Sequence, residues 1–122
     1  MSSTKKRILC VEDNAEDCDL LKTYLELEDY EVVFAHTGTE GFRMAKSERF
    51  DLHLIDECLP DGLGTDLTRE IRVFDSTTPI VFYSASAYES DIQRGLDAGA
   101  QIYITKPCDP NHVIEIIKTL VP

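Results

Sequence analysis

Glu12, Asp13, Asp56, Ser84 and Lys106 are the side chains of this 122-residue sequence that can do chemistry together, because each stands just past a short apolar run. Glu12 and Asp13 follow Ile8 to Val11, and Asp56 follows Leu52 to Ile55. Ser84 follows Ile80 to Tyr83, and Thr105, Lys106 and Pro107 follow Ile102 to Ile104. Three carboxylates gathered in one place repel, and each is pushed toward its neutral form unless a cation sits among them. A hard divalent cation meets that need: Mg²⁺ takes oxygen ligands at about 2.0 to 2.1 Å, keeps several waters, and uses one or two carboxylates beside phosphate oxygens. The oxygen set suits Mg²⁺, or Mn²⁺ in its place, better than zinc. Three carboxylate charges are balanced by one divalent cation and Lys106. Turning one carboxylate into an acyl phosphate replaces a single negative charge by about two. That excess calls for donors such as the Ser84 hydroxyl and neighbouring backbone N–H groups. The chemistry suggested is phosphoryl transfer to a carboxylate, with Asp56 attacking in line and Lys106 serving as a point charge.

These residues meet only if the apolar runs are parallel strands of one sheet. The five runs, with Val32 to Ala35 as the second, begin 24, 20, 28 and 22 residues apart, and only His53 interrupts them. Strands buried on both faces lose the period-two alternation, and gaps of this length hold one crossover helix each. Helix signals fill the gaps: Leu20, Leu21, Tyr24 and Leu25 after an Asn14 cap, and capping-box spacings at Thr37 with Glu40 and at Ser86 with Glu89. Gly99 stands where a helix ending near Ala98 needs a left-handed residue, and Asp109-Pro110 opens a helix over Val113 to Leu120. The third helix, around Thr65 to Phe74, shows only Leu67 and Ile71 in register. The fold class expected is α/β, a doubly wound five-stranded parallel sheet with five helices, in a single domain spanning 1–122. In such a sheet the C-terminal ends of all strands share one edge, where open α/β folds bind ligands.

Composition narrows the function classes. Hydrophobic residues make up 43% and charged residues 29%, which is globular rather than disordered composition. There is no apolar run of about 18 residues, and the polar start from Met1 to Lys6 does not read as a signal peptide, so a cytoplasmic protein off the membrane is expected. A net charge of −11 argues against direct binding to nucleic acid or an anionic membrane. The one basic cluster, Lys5-Lys6-Arg7, reads as a solvated lead-in to the first strand. Cys10, Cys18, Cys58 and Cys108 form no CxxC pair and read as reduced thiols of the core.

Four segments carry a family resemblance: Ile8-Leu9-Cys10-Val11-Glu12-Asp13-Asn14, Leu54 to Gly64, Tyr83-Ser84-Ala85 and Tyr103-Ile104-Thr105-Lys106-Pro107. In this order and spacing the chain resembles the receiver (response regulator) domains of two-component signalling over essentially its whole length. The resemblance implies a sheet order of 2-1-3-4-5 and a set of roles. Asp56 matches the phosphoacceptor, Glu12 and Asp13 the metal-binding acidic pair, and Cys58 the residue whose backbone carbonyl completes the Mg²⁺ shell. Ser84, Ala85 and Lys106 match the groups that contact the phosphoryl group, and Lys106-Pro107 the peptide bond usually found cis. Ser84 and Tyr103 match the switch pair, in which the aromatic ring turns inward as the hydroxyl moves toward the phosphoryl group. Implied partners are a sensor histidine kinase or a histidine phosphotransfer protein. The implied output is a protein contact read from a stand-alone domain, either a monomer or a phosphorylation-dependent dimer.

Other readings compete. A phosphorelay intermediate would pass its phosphate to a histidine. An aspartyl-phosphate phosphatase would need a DxD motif after the first strand, which Glu12-Asp13-Asn14 does not supply. A flavodoxin-like module would need a phosphate loop where this chain has acids, and a degenerate docking scaffold would not keep every chemical position filled. His53 reads as a satisfied, neutral core histidine, His36 and His112 as surface residues, Tyr88 and Arg94 as ordinary exposed residues of the fourth helix, with a place in an output surface as the alternative, and Asp29 as a strained turn residue.

Overall fold

Each apolar run is a strand and each gap holds a helix in the computed structural model, which describes residues 5–122; Met1 to Thr4 lie outside the described residues. The chain runs through β1 (Arg7–Val11), α1 (Ala15–Leu27), β2 (Glu31–Ala35), α2 (Gly38–Ser47), β3 (Leu52–Ile55), β4 (Cys58–Leu59), β5 (Gly62–Leu63) and α3 (Gly64–Phe74). It continues through β6 (Ile80–Ser84), α4 (Glu89–Ala98), β7 (Ile102–Thr105) and α5 (Pro110–Leu120). The main sheet is parallel in the order β2-β1-β3-β6-β7. This is the expected 2-1-3-4-5 once β4 and β5, an antiparallel hairpin of two-residue strands too short to leave a hydropathy pattern, are set aside.

Both faces of the sheet are covered, which is why the runs do not alternate. Ile8 and Cys10 point to a core shared with Leu21 and Leu25 of α1 and Val113 and Ile117 of α5. Leu9 and Val11 point the other way, among Ala45, Leu67, Ile71 and Phe82, beneath α2 and α3. Each such buried aliphatic side chain contributes about 1.5 to 3 kcal/mol relative to exposure. The Tyr30 hydroxyl donates to the Val121 carbonyl at 2.9 Å and ties the end of α5 to the start of β2.

The helix ends follow the expected signals with two exceptions. Asn14 Oδ1 accepts from Asp17 N, Thr37 Oγ1 from Glu40 N, and Asp109 Oδ1 from Asn111 N. Gly99 ends α4 at φ 125°, and Asp29 holds the turn before β2 at φ 66°. Ser86 does not cap α4: the helix starts at Glu89 with Tyr88 as an N-cap that makes no side-chain bond. The loop before it is drawn instead toward the sheet edge, where Ser86 N donates to Ser84 Oγ at 3.1 Å. The second exception is α2, whose first amides are served by the hairpin as well as by Thr37. Asp61 accepts from Gly38 N, Thr39 N and Thr39 Oγ1, and these bonds hold its carboxyl at about 2.

Three other expectations are corrected. Arg7 is not a solvated lead-in, because its guanidinium pairs with Glu31 at 2.6 Å and Glu48 at 3.0 Å and covers the Phe50 ring. Only Cys10 and Cys18 are buried; Cys58 is exposed and Cys108 half-buried. His53 is buried and neutral, with burial lowering its pKa to about 4, but it is not satisfied: Nδ1 has no partner.

Candidate functional site

The sheet ladder extends one residue past the strands and so fixes the residues that follow them. Glu12 N donates to the Ala35 carbonyl at 2.9 Å, Asp56 N to Val11 at 3.0 Å, and Lys106 N to Ser84 at 2.8 Å. Side chains far apart in sequence are thereby set on one edge by backbone bonds. Gly64 lets the start of α3 approach this edge, since a Cβ there would collide with the Asp56 carbonyl. The Lys106-Pro107 peptide bond is cis, as the resemblance implied.

Oxygens of Glu12, Asp13 and Asp56 lie within 4.8 Å of one another. Lys106 Nζ donates to Glu12 Oε1 at 2.6 Å, to Asp17 Oδ2 at 2.7 Å and to Asp56 Oδ2 at 3.3 Å. Asp17 was not anticipated in this cluster, although an acid in the first turn after the Asn14 cap is set at the same edge. It changes the electrostatics: three carboxylates contact the one ammonium and Asp13 stands beside two of them, so a divalent cation would leave one negative charge in excess rather than a balance of zero. Burial lifts the Glu12 pKa well above the usual carboxylate range and the Asp56 charge adds to the lift, against the pull of Lys106 and the Asn14 amide. Burial lowers the Lys106 pKa, but its bonds to Asp17 and Glu12 outweigh that and leave it above its ordinary value. The carboxylate oxygens of Glu12, Asp13 and Asp56 crowd one another within 4.8 Å. This donor set of hard oxygens therefore fits a divalent cation of the Mg²⁺ type.

The remaining expected residues line the same edge. Cys58 N donates to Asp56 Oδ1 at 3.1 Å, and Cys58 Sγ lies 3.1 Å from Ser86 Oγ, joining β4 to the loop after β6. Ser84 is fully buried and Ala85 beside it is exposed. Tyr103 is turned inward: its hydroxyl donates to the Ser86 carbonyl at 2.6 Å and its ring stacks on Phe82 with centroids 5.2 Å apart. Two participants were missed besides Asp17. His36, though exposed, donates from Nδ1 to the Glu12 carbonyl at 3.0 Å. Glu57 is buried beside Asp56 and binds Thr65.

A family model described as the response regulator receiver domain matches residues 8–118. The chain belongs to the response regulator receiver family. Receiver domains are two-component signalling domains that are phosphorylated and bind Mg²⁺ in their acidic pocket. Among solved receivers, the CheY-like receiver domain protein of Methanospirillum hungatei JF-1 is 36% identical, with a TM-score of 0.91, covering 95% of this chain and 93% of that one. The receiver domain of a sensor histidine kinase from Pseudomonas aeruginosa PAO1, solved with a magnesium ion in its active-site cleft, is 30% identical with a TM-score of 0.88, covering 96% and 98%. Among curated relatives, a probable transcriptional regulatory protein of Picosynechococcus is 44% identical over 112 residues, covering 86% of this chain and 45% of the relative. The Bacillus subtilis uncharacterized transcriptional regulatory protein YclJ is 36% identical over 115 residues, 94% of this chain and 50% of that one. The receiver thus spans about half the length of the curated relatives it matches. No helix among its described residues is long and apolar enough to cross a membrane.

Proposed function

We propose that this receiver, a single domain assigned to 1–122, accepts a phosphoryl group on Asp56 from a histidine kinase or histidine phosphotransfer protein and signals through a changed protein-binding face. The observation that carries the reading is the Asp56 carboxylate beside Lys106 Nζ at 3.3 Å, with Glu12 and Asp13 oxygens within 4.8 Å. An Asp56 Oδ attacks phosphorus and forms an acyl phosphate, while the P–N bond of the phosphohistidine donor breaks with its electron pair left on the imidazole, which takes a proton. Glu12, Asp13, Asp56 and the Cys58 carbonyl are the groups that would hold Mg²⁺. When bound, Mg²⁺ supplies positive charge that offsets the transferring phosphoryl oxygens. Lys106 orients the Asp56 carboxylate and then pairs with the phosphoryl group. The Ser84 hydroxyl and the Ala85 N–H donate to its oxygens. Because Ser86 bonds both Ser84 and Tyr103, movement of Ser84 toward the phosphoryl group is passed to the Tyr103 ring and so to the face of α4, β7 and α5.

A second reading, in which the chain is the receiver part of a transcriptional regulator, is supported by the curated relatives, of which it spans half. It leaves the chemistry at Asp56 unchanged and assigns the reading partner to an attached segment.

The test is intact mass after incubation with acetyl phosphate, with and without Mg²⁺, for the parent and Asp56→Asn. The expected result is one Mg²⁺-dependent, base-labile phosphoryl adduct absent from Asp56→Asn. An adduct that persists in Asp56→Asn, or sustained hydrolysis of phosphate monoesters, overturns the proposal.

A further inference from the structure

Glu57 takes no part in the chemistry above, yet it is the least exposed carboxylate among the described residues, at 1%. Its Oε1 accepts from Thr65 N at 2.7 Å and its Oε2 from Thr65 Oγ1 at 2.6 Å. Its backbone carbonyl accepts from Gly64 N at 2.8 Å. Leu63, the residue at the N-cap of α3, makes no side-chain cap bond. Glu57 therefore serves the open amides of that helix from outside it, placing negative charge where the helix dipole favours it.

Two bonds to Thr65 satisfy the carboxylate oxygens but do not neutralise the charge. Arg94 of α4 is the cation that does so, with Nη2 at 3.6 Å from Glu57 Oε2, an ion-pair distance rather than a hydrogen bond. The same Nη2 is held at 2.6 Å by Asp91, one turn earlier on α4, which aims the guanidinium. The helix has little else to fix its start, since its N-cap residue Tyr88 makes no side-chain bond. The next residue, Gly95, is where the Tyr103 ring packs: a Cβ there would lie 3.0 Å from Tyr103 Cδ2. The residue after the phosphoacceptor is thus linked, by one side chain, to the turn of α4 that receives the inward aromatic ring.

We propose that Glu57 is a positioning residue, tied through Arg94 to α4, so that the placement of α4 and the reactivity of Asp56 change together. The reactivity half rests on the phosphoacceptor reading; the placement half stands without it. A purely electrostatic role makes a different prediction. Removing the Glu57 charge would speed reaction with an anionic phosphodonor and removing the Arg94 charge would slow it.

The experiment uses the full chain as Glu57→Gln, Arg94→Gln, the double variant and Arg94→Lys. Amide exchange across 89–98 is followed without phosphodonor, and the rate of adduct formation is followed with acetyl phosphate and Mg²⁺. The tie requires exchange in α4 to rise roughly three- to tenfold in both single variants, although Glu57 lies outside that helix. It also requires adduct formation to move in the same direction in both, the double variant to go no further than the larger single effect, and Arg94→Lys to restore parent behaviour. Unchanged α4 exchange in folded Glu57→Gln, opposite-signed rates, or additive effects in the double variant each overturn it. Arg94 has a side chain 45% exposed, so its variants carry the test even if Glu57→Gln unfolds. If no variant, the parent included, forms an adduct, the phosphoacceptor reading fails while the exchange data still decide the tie.

Discussion

The Tyr103 hydroxyl donates a 2.6 Å hydrogen bond to the Ser86 carbonyl, with its ring stacked on Phe82 and its edge over Gly95. The inward ring is held by one polar bond and by the absence of a side chain at position 95. Tyr103→Phe keeps the packing and loses the bond, so it is expected to cost about 1 kcal/mol in urea denaturation. Gly95→Ala gains helix propensity but places a Cβ 3.0 Å from the ring. It should displace the Tyr103 ring resonances in NMR spectra while leaving stability close to the parent's; unchanged ring resonances would show that Gly95 is not what admits the ring.

Acid should unfold this domain partly through His53. Its folded pKa of about 4 lies below the ordinary 6.5 because burial disfavours the charged form. As the pH falls below about 6.5 the unfolded chain takes up a proton that the folded chain refuses. Stability then declines by up to about 1.4 kcal/mol per pH unit, a loss on the order of 3 kcal/mol by pH 4. The 3.9 Å approach of Nε2 to Asp75 is accordingly not an ion pair at neutral pH. Burial would raise the Asp75 pKa, but hydrogen bonds from Thr78 and Thr77 outweigh it and hold it at about 2, so its contribution is present above about 3.8 and lost as the pH falls toward 2. Urea denaturation at pH 7 and pH 4.5 should give a smaller difference for His53→Leu than for the parent, and equal differences would refute the assignment.

Arg72 clamps the end of α4 from α3. Nε and Nη2 donate to the Gly99 carbonyl at 3.1 and 2.9 Å, and Nη1 donates to the Asp75 carbonyl at 3.0 Å. Arg72→Ala is expected to destabilise by about 2 kcal/mol. Arg72→Lys should recover less than half of that, because an ammonium cannot reproduce the planar fork. Chemical denaturation of the two variants checks both statements, and full recovery by lysine would count against the clamp.

Divalent cations should stabilise the fold, since three carboxylates share one ammonium and Asp13 adds a fourth charge beside Glu12 and Asp56. MgCl₂ is expected to stabilise the fold by about 2.7 kcal/mol at a hundredfold excess over Kd, raising the melting midpoint beyond a NaCl control of equal ionic strength, and chelation to remove that gain. Lys106→Met should melt lower without Mg²⁺ and respond more steeply to it, and Asp13→Asn should respond less. Identical responses to MgCl₂ and NaCl would remove the case for a cation site.

What could be read from the sequence was what the backbone decides. Glu12, Asp56, Ser84 and Lys106 were legible because parallel strands must end at one edge, and Ser84 ends a strand while the other three follow one. Asp17 and Glu57 were not, because their roles depend on side-chain direction in a helix turn and a loop, where an acid is ordinarily solvated. The polar residues Thr65 and Thr68, both buried in α3, hid that helix's inner face from a count of apolar positions. Arg94 reads as exposed helix surface, and its side chain is 45% exposed, yet its guanidinium lies 3.6 Å from Glu57. His53 was read as neutral for the right reason, burial, while the missing partner of Nδ1 has no signature in one dimension.

The Tyr30–Val121 bond has a practical consequence for anything attached to this domain. Lys5, Lys6, Val121 and Pro122 line one shallow depression with Tyr30, so the two ends of the described chain emerge side by side. They do so at the edge where the strands begin, roughly a strand length of about 16 Å from the edge where Asp56 stands. A fluorescent label or affinity tag fused at either end therefore leaves the approach to Asp56 clear. A short linker joining the ends would also permit circular permutation, with new termini opened in a surface loop.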